Sequence, residues 1–324
     1  MAKAIGLLSG GLDSILATRL MQEQWIQVLG LSFQTPFFDP QRAQRAAVQL
    51  GVPLRILDIS EEHLQLVRDP RYGYGKNVNP CIDCHILMLK KAGHLLDKEE
   101  SDFVFTGEVL GQRPMSQNKQ ALQTVARESG YEGLILRPLS AKLLPETIPE
   151  KEGKVDRERL LDIQGRSRKR QLELAKRYGI ADFPDPAGGC LLTDPAFSRR
   201  LRDLFAHQAH VQMRDIELLR VGRHFRLDQS TKVVIGRRKE ENERLLELAR
   251  GGDTVIRVMD YPGPIGLIPG GSLKVPAEMA ASLCVRYSDA PDNTPIMVLL
   301  EKSGGEERIE STACSQEICQ AMII

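Results

Sequence analysis

Six residues, Ser9-Gly10-Gly11-Leu12-Asp13-Ser14, join a short apolar run to a helix-periodic one, and they constrain this chain more than any other feature in it. Residues 3–8 (KAIGLL) have the length of a buried strand. From Leu12 to Glu23 the residues Ile15, Leu16, Leu20 and Met21 recur on one helical side. Adjacent glycines between such elements let the backbone approach a bound group and turn its N–H groups inward. The helix start adds unpaired amides and the positive end of its dipole. Such a turn suits phosphate. Ser9 and Ser14 supply hydroxyls, and Asp13 is placed to hold a magnesium ion, Mg2+, that bridges phosphates. No lysine follows the glycines, so the turn is not the Gly-Lys-Ser/Thr kind. The competing structural explanation is a Ser/Gly turn with Asp13 in a helix cap.

The alternation continues downstream. Residues 25–33 (WIQVLGLSF) read as a buried strand, Pro40 to Leu50 as a helix closed by Gly51, and VPLRILDI as a third strand. This βαβαβ pattern predicts a parallel sheet with helices on both faces and a ligand outside the carboxyl ends of its strands. A Gly/Pro/Asn-rich loop, Tyr72 to Pro80, leads into a helix from Cys81. SDFVFTGE and LILRPLSA read as further strands, a basic helix is expected near Arg166–Tyr178, and a charged one over 196–210. From about Val211 short β-like runs (IELLRVGRHFRL, KVVIG, TVIRVMD, IGLIP, PIMVLLEK) enclose two helices, EENERLLELA and PAEMAASLCVRYS. The expected organisation is an α/β parallel-sheet domain over 1–195, a linker helix over 196–210 and a smaller α+β domain over 211–324.

Composition narrows the partners. Aromatic residues are 5% of the 324, which argues against an extended base-stacking platform. The net charge is +1, so a polyanion must meet local basic patches. Arg166, Arg168, Lys169 and Arg170 form one such patch at a helix start, where cations oppose the helix dipole; binding of phosphate would account for them, as would a solvated face. The N-terminus has no signal-peptide pattern and no apolar stretch approaches a membrane span, so the expected setting is cytoplasmic with no membrane partner. Six cysteines do not make a disulfide scaffold in such a setting. Cys284, Cys314 and Cys319 read as buried apolar thiols. Cys81, Cys84 and Cys190 sit among Pro, Gly and polar residues instead.

SGGLDS resembles the SGGxDS signature of the PP-loop ATP pyrophosphatases, whose fold is adenine nucleotide alpha hydrolase-like. The resemblance implies that ATP is cleaved between its α- and β-phosphates and that AMP is left on a substrate oxygen. Thr106-Gly107-Glu108-Val109-Leu110-Gly111-Gln112, followed by Ser116-Gln117 and by LRPL at 136–139, resembles the tRNA 4-thiouridine synthetases. ATP contacts are then implied for Ser9, Gly10, Gly11, Asp13, Ser14, Ser32, Phe33, Thr106, Gly107 and Gln112. That family's preceding tRNA-binding domain and following rhodanese domain have no counterpart in these residues.

Asn79-Pro80-Cys81-Ile82-Asp83-Cys84 is similar to the NP-x-x-x-C stretch of the tRNA 2-thiouridylases, and Gly188-Gly189-Cys190 to the surroundings of their second catalytic cysteine. The implied catalytic residues are Asp13, Cys84 and Cys190. Cys81 is extra relative to many of these enzymes, and a CxxC pair with one distant cysteine is similar to the pattern of iron–sulfur-dependent tRNA thiolases. Three thiolates on a [4Fe–4S] cluster, ligated by Cys81, Cys84 and Cys190, is one arrangement; a persulfide with a partner thiol is another; unrelated thiols are a third. From Val221 to Ser288 the order of motifs resembles the NFACT RNA-binding domain, with Gly236-Arg237-Arg238 where that family has GRN and DTVIRV where it has DIWFH. Arg237 and Arg238 join the basic patch as RNA-contact candidates.

These resemblances imply an ATP-dependent tRNA sulfurtransferase that adenylates a uridine carbonyl oxygen and replaces it with sulfur. Its partners would be tRNA and a sulfur donor, either sulfide or a persulfide carrier protein. Two other readings stay open: a PP-loop amide synthetase with an amine nucleophile, and an RNA- or ribosome-binding module with a nucleotide switch.

Overall fold

Phe103, Val104 and Phe105 alternate between the two faces of one sheet, and each face has its own core. The computed structural model describes residues 1–184, 190–271 and 277–324, and the chain divides into two units, Met1–Thr193 and Asp194–Ile324.

The first unit runs β1 (Lys3–Leu7), α1 (Leu12–Glu23), β2 (Gln27–Gln34), α2 (Gln41–Leu50), β3 (Leu54–Asp58), α3 (Ser60–Arg68), α4 (Cys81–Gly93), β4 (Phe103–Phe105), α5 (Lys119–Ser129), β5 (Ile135–Leu136), α6 (Ile148–Lys151) and α7 (Lys169–Arg177). The five strands are parallel in the order β3-β2-β1-β4-β5. Leu12, Ile15 and Leu16 of α1 pack with Ala43 and Ala46 of α2, Ala175 of α7 and the rings of Phe103 and Phe105. On the other face Ile5, Leu31 and Val104 meet Leu89 of α4 and Val125 of α5. Two faces buried by helices is the arrangement a parallel sheet needs. The expected α/β fold is present.

Several elements are shorter than the apolar runs suggest. SDFVFTGE contributes only Phe103–Phe105 and LILRPLSA only Ile135–Leu136, because Pro138 has no N–H for the ladder. The basic helix begins at Lys169, three residues later than expected. α3 and α5 were not foreseen.

The second unit runs α8 (Pro195–His207), α9 (Met213–Leu218), β6 (Arg223–Arg226), β7 (Lys232–Ile235), α10 (Lys239–Leu248), β8 (Thr254–Val258), β9 (Ile265–Ile268), α11 (Ala277–Arg286), β10 (Ile296–Lys302), β11 (Gly305–Ser311) and α12 (Gln316–Met322). Its six strands form an antiparallel sheet in the order β11-β10-β8-β9-β7-β6. Ala280, Ala281 and Cys284 of α11 pack on that sheet with Cys314 and Cys319, so the three C-terminal thiols are core residues, as expected. IELLRVGRHFRL is not one β run. A capping box at Gln212 and Asp215 starts α9 through Leu218, and only Arg223–Arg226 is strand.

Among the described residues no helix is long and apolar enough to cross a membrane.

Candidate functional site

The sheet order reverses between β1 and β4, and the two sequence motifs meet there, just beyond the carboxyl ends of those strands. Gly10 has φ +75°, and a Cβ on it would lie 2.4 Å from the Arg42 backbone, so α2 closes one side of the turn. A Cβ on Gly107 would lie 2.5 Å from the Ser14 amide nitrogen, so the loop after β4 rests directly on the first turn of α1. Gly11 is different. Its Cβ would meet only Ser9 Oγ, at 3.5 Å, which leaves that backbone open to a ligand. The Gly11 N–H donates to Ser9 Oγ at 3.3 Å and Ser14 Oγ donates to the Gly11 carbonyl at 2.8 Å. Ser32 and Phe33 are buried on β2, where Leu31 is paired with Leu7 at the end of β1.

Asp13 sits at the centre. Gln112 Nε2 donates to its Oδ2 at 2.8 Å, while Oδ1 is buried with no hydrogen-bond partner. Burial raises its carboxyl pKa, against the pull of Gln112, Arg168, Gln171 and Arg113. A buried carboxylate oxygen without a partner is the kind of ligand that Mg2+ takes, so this residue fits that ion.

The basic segment is divided by the fold. Arg168, at the N-cap of α7, acts electrostatically on Asp13, and its Nε is buried without a partner. Gln171, one turn into α7, is fully buried and hydrogen-bonds toward the same group. Arg170 instead pairs with Asp162 at 2.7 Å, and Arg166 and Lys169 face solvent. In the second unit Arg237 is held by Glu241 with contacts of 3.0 Å, and Arg238 is the exposed N-cap of α10.

Cys81 and Cys84 lie on the first turn of α4. Asp83 between them accepts the N–H groups of Arg71 and Tyr72, each at 3.1 Å, which pins the start of the Tyr72–Pro80 loop. Gly188 and Gly189 lie outside the described residues, but Cys190 is described, and its Leu192 neighbour accepts a backbone bond from Val78 at 3.4 Å. The three thiols come near enough to disfavour one another's ionisation. Burial, then Cys190 and Cys81, pushes Cys84 well above the usual thiol range; burial pushes Cys190 up to about 11, and Cys81 is raised for the same reason. His63 of α3, which the sequence did not mark, puts Nε2 3.0 Å from Cys84 Sγ. Among the described residues no group of three or more His, Cys, Asp or Glu side chains is arranged to hold a metal ion. As folded, these donors fit thiol chemistry and not a preformed cluster.

A buried carboxylate ties the two halves together. Glu108 Oε2 accepts from Arg137 Nε at 2.9 Å and from Thr106 Oγ1 at 3.1 Å, and Oε1 lies 2.6 Å from His85 Nδ1. Burial alone would raise its pKa, but the charges of Arg137 and His85 and their hydrogen bonds hold it at about 2. Through His85 the cysteine helix is fastened to the loop that lies on the phosphate turn.

Arg113, like His63, was not marked by the sequence. Exposed in the loop after Gln112, it acts on Asp13, on Cys81 and on Cys190 at once. Its place directly after the Gly111-Gln112 motif was the available signal.

Residues 2–149 match the family described as tRNA methyl transferase HUP domain, and residues 222–322 match the NFACT protein RNA binding domain. The chain is 27% identical over 164 residues to the tRNA-specific 2-thiouridylase MnmA of Trichlorobacter lovleyi, covering 46% of this chain and 45% of that one. It is 27% identical over 226 residues to that of Symbiobacterium thermophilum, covering 60% and 54%. The chain thus spans about half the length of these curated relatives. A 4-thiouridine synthetase–RNA complex with bound ATP superposes loosely, with TM-score 0.34 and 20% identity over 55% of this chain and 52% of that one. The two family matches and the 2-thiouridylase relatives bear out the resemblance to PP-loop tRNA-thiolation enzymes and to the NFACT RNA-binding domain.

Proposed function

We propose that this chain, which joins a domain of the PP-loop tRNA-thiolation type to an NFACT-type RNA-binding domain, is an ATP-dependent tRNA sulfurtransferase. The observation that carries the reading is the loop after β4, whose Gly107 rests on the first turn of α1 and whose Glu108 lies 2.6 Å from His85 on the cysteine helix. AMP goes onto the carbonyl oxygen and sulfur then attacks the carbon that bears it, so phosphate and thiol machinery held together by one loop suits such a reaction.

ATP phosphates would lie against the Gly11 backbone and the start of α1, with Asp13 as the ligand for Mg2+, which neutralises phosphate charge when bound. Gln112 and Gln171 hold the Asp13 carboxylate for that role. The uridine carbonyl oxygen attacks the α-phosphorus and pyrophosphate leaves. Arg113 and Arg168 supply positive charge where the transition state gathers negative charge.

Cys190, less buried than Cys84, is the thiol that a persulfide donor would load with a terminal sulfur. That sulfur attacks the adenylated carbon and AMP leaves. The Cys84 thiolate then attacks the Cys190 sulfur, so a Cys84–Cys190 disulfide forms and thiouridine departs. An external dithiol reduces the disulfide before the next cycle.

Incubation with unmodified tRNA, ATP and a persulfide donor should yield thiouridine and AMP in equal amounts. Formation of ADP in place of AMP, or full activity in Cys190→Ala, would sink the reading.

A further inference from the structure

At the far end of α1 from the phosphate turn the chain makes a choice that local stability does not explain. The Trp25 N–H bonds the Gln22 carbonyl at 3.0 Å and the Ile26 N–H bonds the Met21 carbonyl at 3.2 Å, the pattern of a Schellman helix end. The residue after the cap in that motif takes a left-handed conformation and is usually glycine. Here it is Trp25, with φ 60°. A Cβ in that conformation is strained. Burial does not compensate, since the side chain is 79% exposed.

Trp25 forms one wall of a cleft of about 550 Å³, whose other walls include Arg19, Arg159, Arg177, Tyr178 and Glu23. Glu23 is engaged: its carboxylate accepts from the Tyr178 hydroxyl at 2.8 Å and its carbonyl from Arg159 at 2.6 Å. Arg170 nearby pairs with Asp162, but among the described residues no carboxylate lies within ion-pair distance of Arg19, Arg159 or Arg177. Three cations without carboxylate partners, beside an exposed indole face, match an aromatic base joined to phosphates. Bases stack on aromatic side chains irrespective of sequence, and arginines take phosphates through paired N–H groups.

The geometry points to a second RNA contact site, separate from the reacting centre, in which a nucleobase stacks on Trp25 while its flanking phosphates lie on Arg19, Arg159 and Arg177. α1 has 12 residues, so the cleft stands about 18 Å from the phosphate turn. An RNA held here extends beyond the nucleotide that reacts.

Trp25 is the only tryptophan in the chain, so its emission reports this cleft alone. Unmodified tRNA and a short single-stranded oligoribonucleotide should each quench it saturably. Arg19→Glu with Arg177→Glu should weaken tRNA binding by about tenfold or more and lower the salt dependence. Trp25→Gly, read with end-labelled tRNA, should bind roughly tenfold more weakly while its thermal midpoint stays level or rises. Unchanged emission at saturating tRNA, unchanged affinity in both variants, or equal quenching by an acidic peptide would overturn the proposal. Thiouridine formation is not the readout, so this test stands apart from the proposed sulfur transfer.

Discussion

His63 Nε2 lies 3.0 Å from Cys84 Sγ, and the His63 ring is fully buried between Phe37 and Phe38, with ring centroids 5.5 and 5.4 Å away. Burial lowers the His63 pKa to about 4 and pushes Cys84 well above the ordinary thiol value. At neutral pH the contact is therefore a hydrogen bond between two neutral groups and not a thiolate–imidazolium pair. The buried thiol is held in one orientation but is not activated at rest.

The histidine should make the fold acid-sensitive. An unfolded chain takes up the proton near 6.5, whereas folded His63 resists it until about 4. Stability from this group is complete above pH 6.5 and is lost as pH falls toward 4, by at most about 3 kcal/mol. Urea unfolding across that window should show the decline, and His63→Leu should flatten it. An equal slope in the variant would assign the acid sensitivity to other groups.

Glu108 gives a different signature. Its folded pKa near 2 lies below the ordinary 4.5, so its contribution holds at neutral pH and is lost only below about 4.5. Glu108→Gln leaves Arg137, 7% exposed, without its anion. Removing one member of a buried pair costs about 3–5 kcal/mol. The unfolding midpoint at pH 7 should fall accordingly, and a change below about 1 kcal/mol would mean that water replaces the carboxylate.

The glycines separate folding from ligand contact. Gly107→Ala sets a Cβ 2.5 Å from the Ser14 amide nitrogen, so it should destabilise the first unit and lift the loop off α1. Gly11→Ala meets only a serine oxygen at 3.5 Å. It should leave the thermal midpoint within a few degrees and weaken ATP binding at least tenfold, because the methyl stands where phosphate would approach. Calorimetry with ATP distinguishes the two outcomes; equal effects of both variants on stability would contradict the open geometry at Gly11.

How much of this was legible beforehand depended on the range of the contacts. The phosphate turn could be read because its strand, glycines and helix start are consecutive. The meeting of Thr106–Gln112 with that turn was implied by family resemblance and by the expected sheet, and the reversal of strand order between β1 and β4 supplies its physical cause. His63 could not be read, and Arg137 was visible only as a member of LRPL, without its partner. The role of each emerges only when α3 faces α4 or β5 leads back beside the Glu108 loop. Continuity in the basic segment 166–170 hid a division that only the fold makes: Arg168 acts on Asp13, Arg170 pairs with Asp162, and Arg166 and Lys169 are exposed.

Arg113 offers the sharpest test of a shared site. Its side chain is exposed and makes no ion pair among the described residues, so Arg113→Ala should leave the unfolding midpoint nearly unchanged. Its charge lowers the pKa values of Asp13, Cys81 and Cys190 against the larger raising effect of burial. Removing it should move the pH profile of thiol alkylation at Cys81 and Cys190 upward, so that reaction at pH 8 slows. AMP formation should fall by about tenfold or more if the same guanidinium also meets charge developing on the α-phosphate. Slower alkylation with unaltered adenylation would confine Arg113 to the thiols; loss of adenylation with unaltered alkylation would confine it to the nucleotide. Both must change in the one variant for the two halves of the chemistry to share this cation.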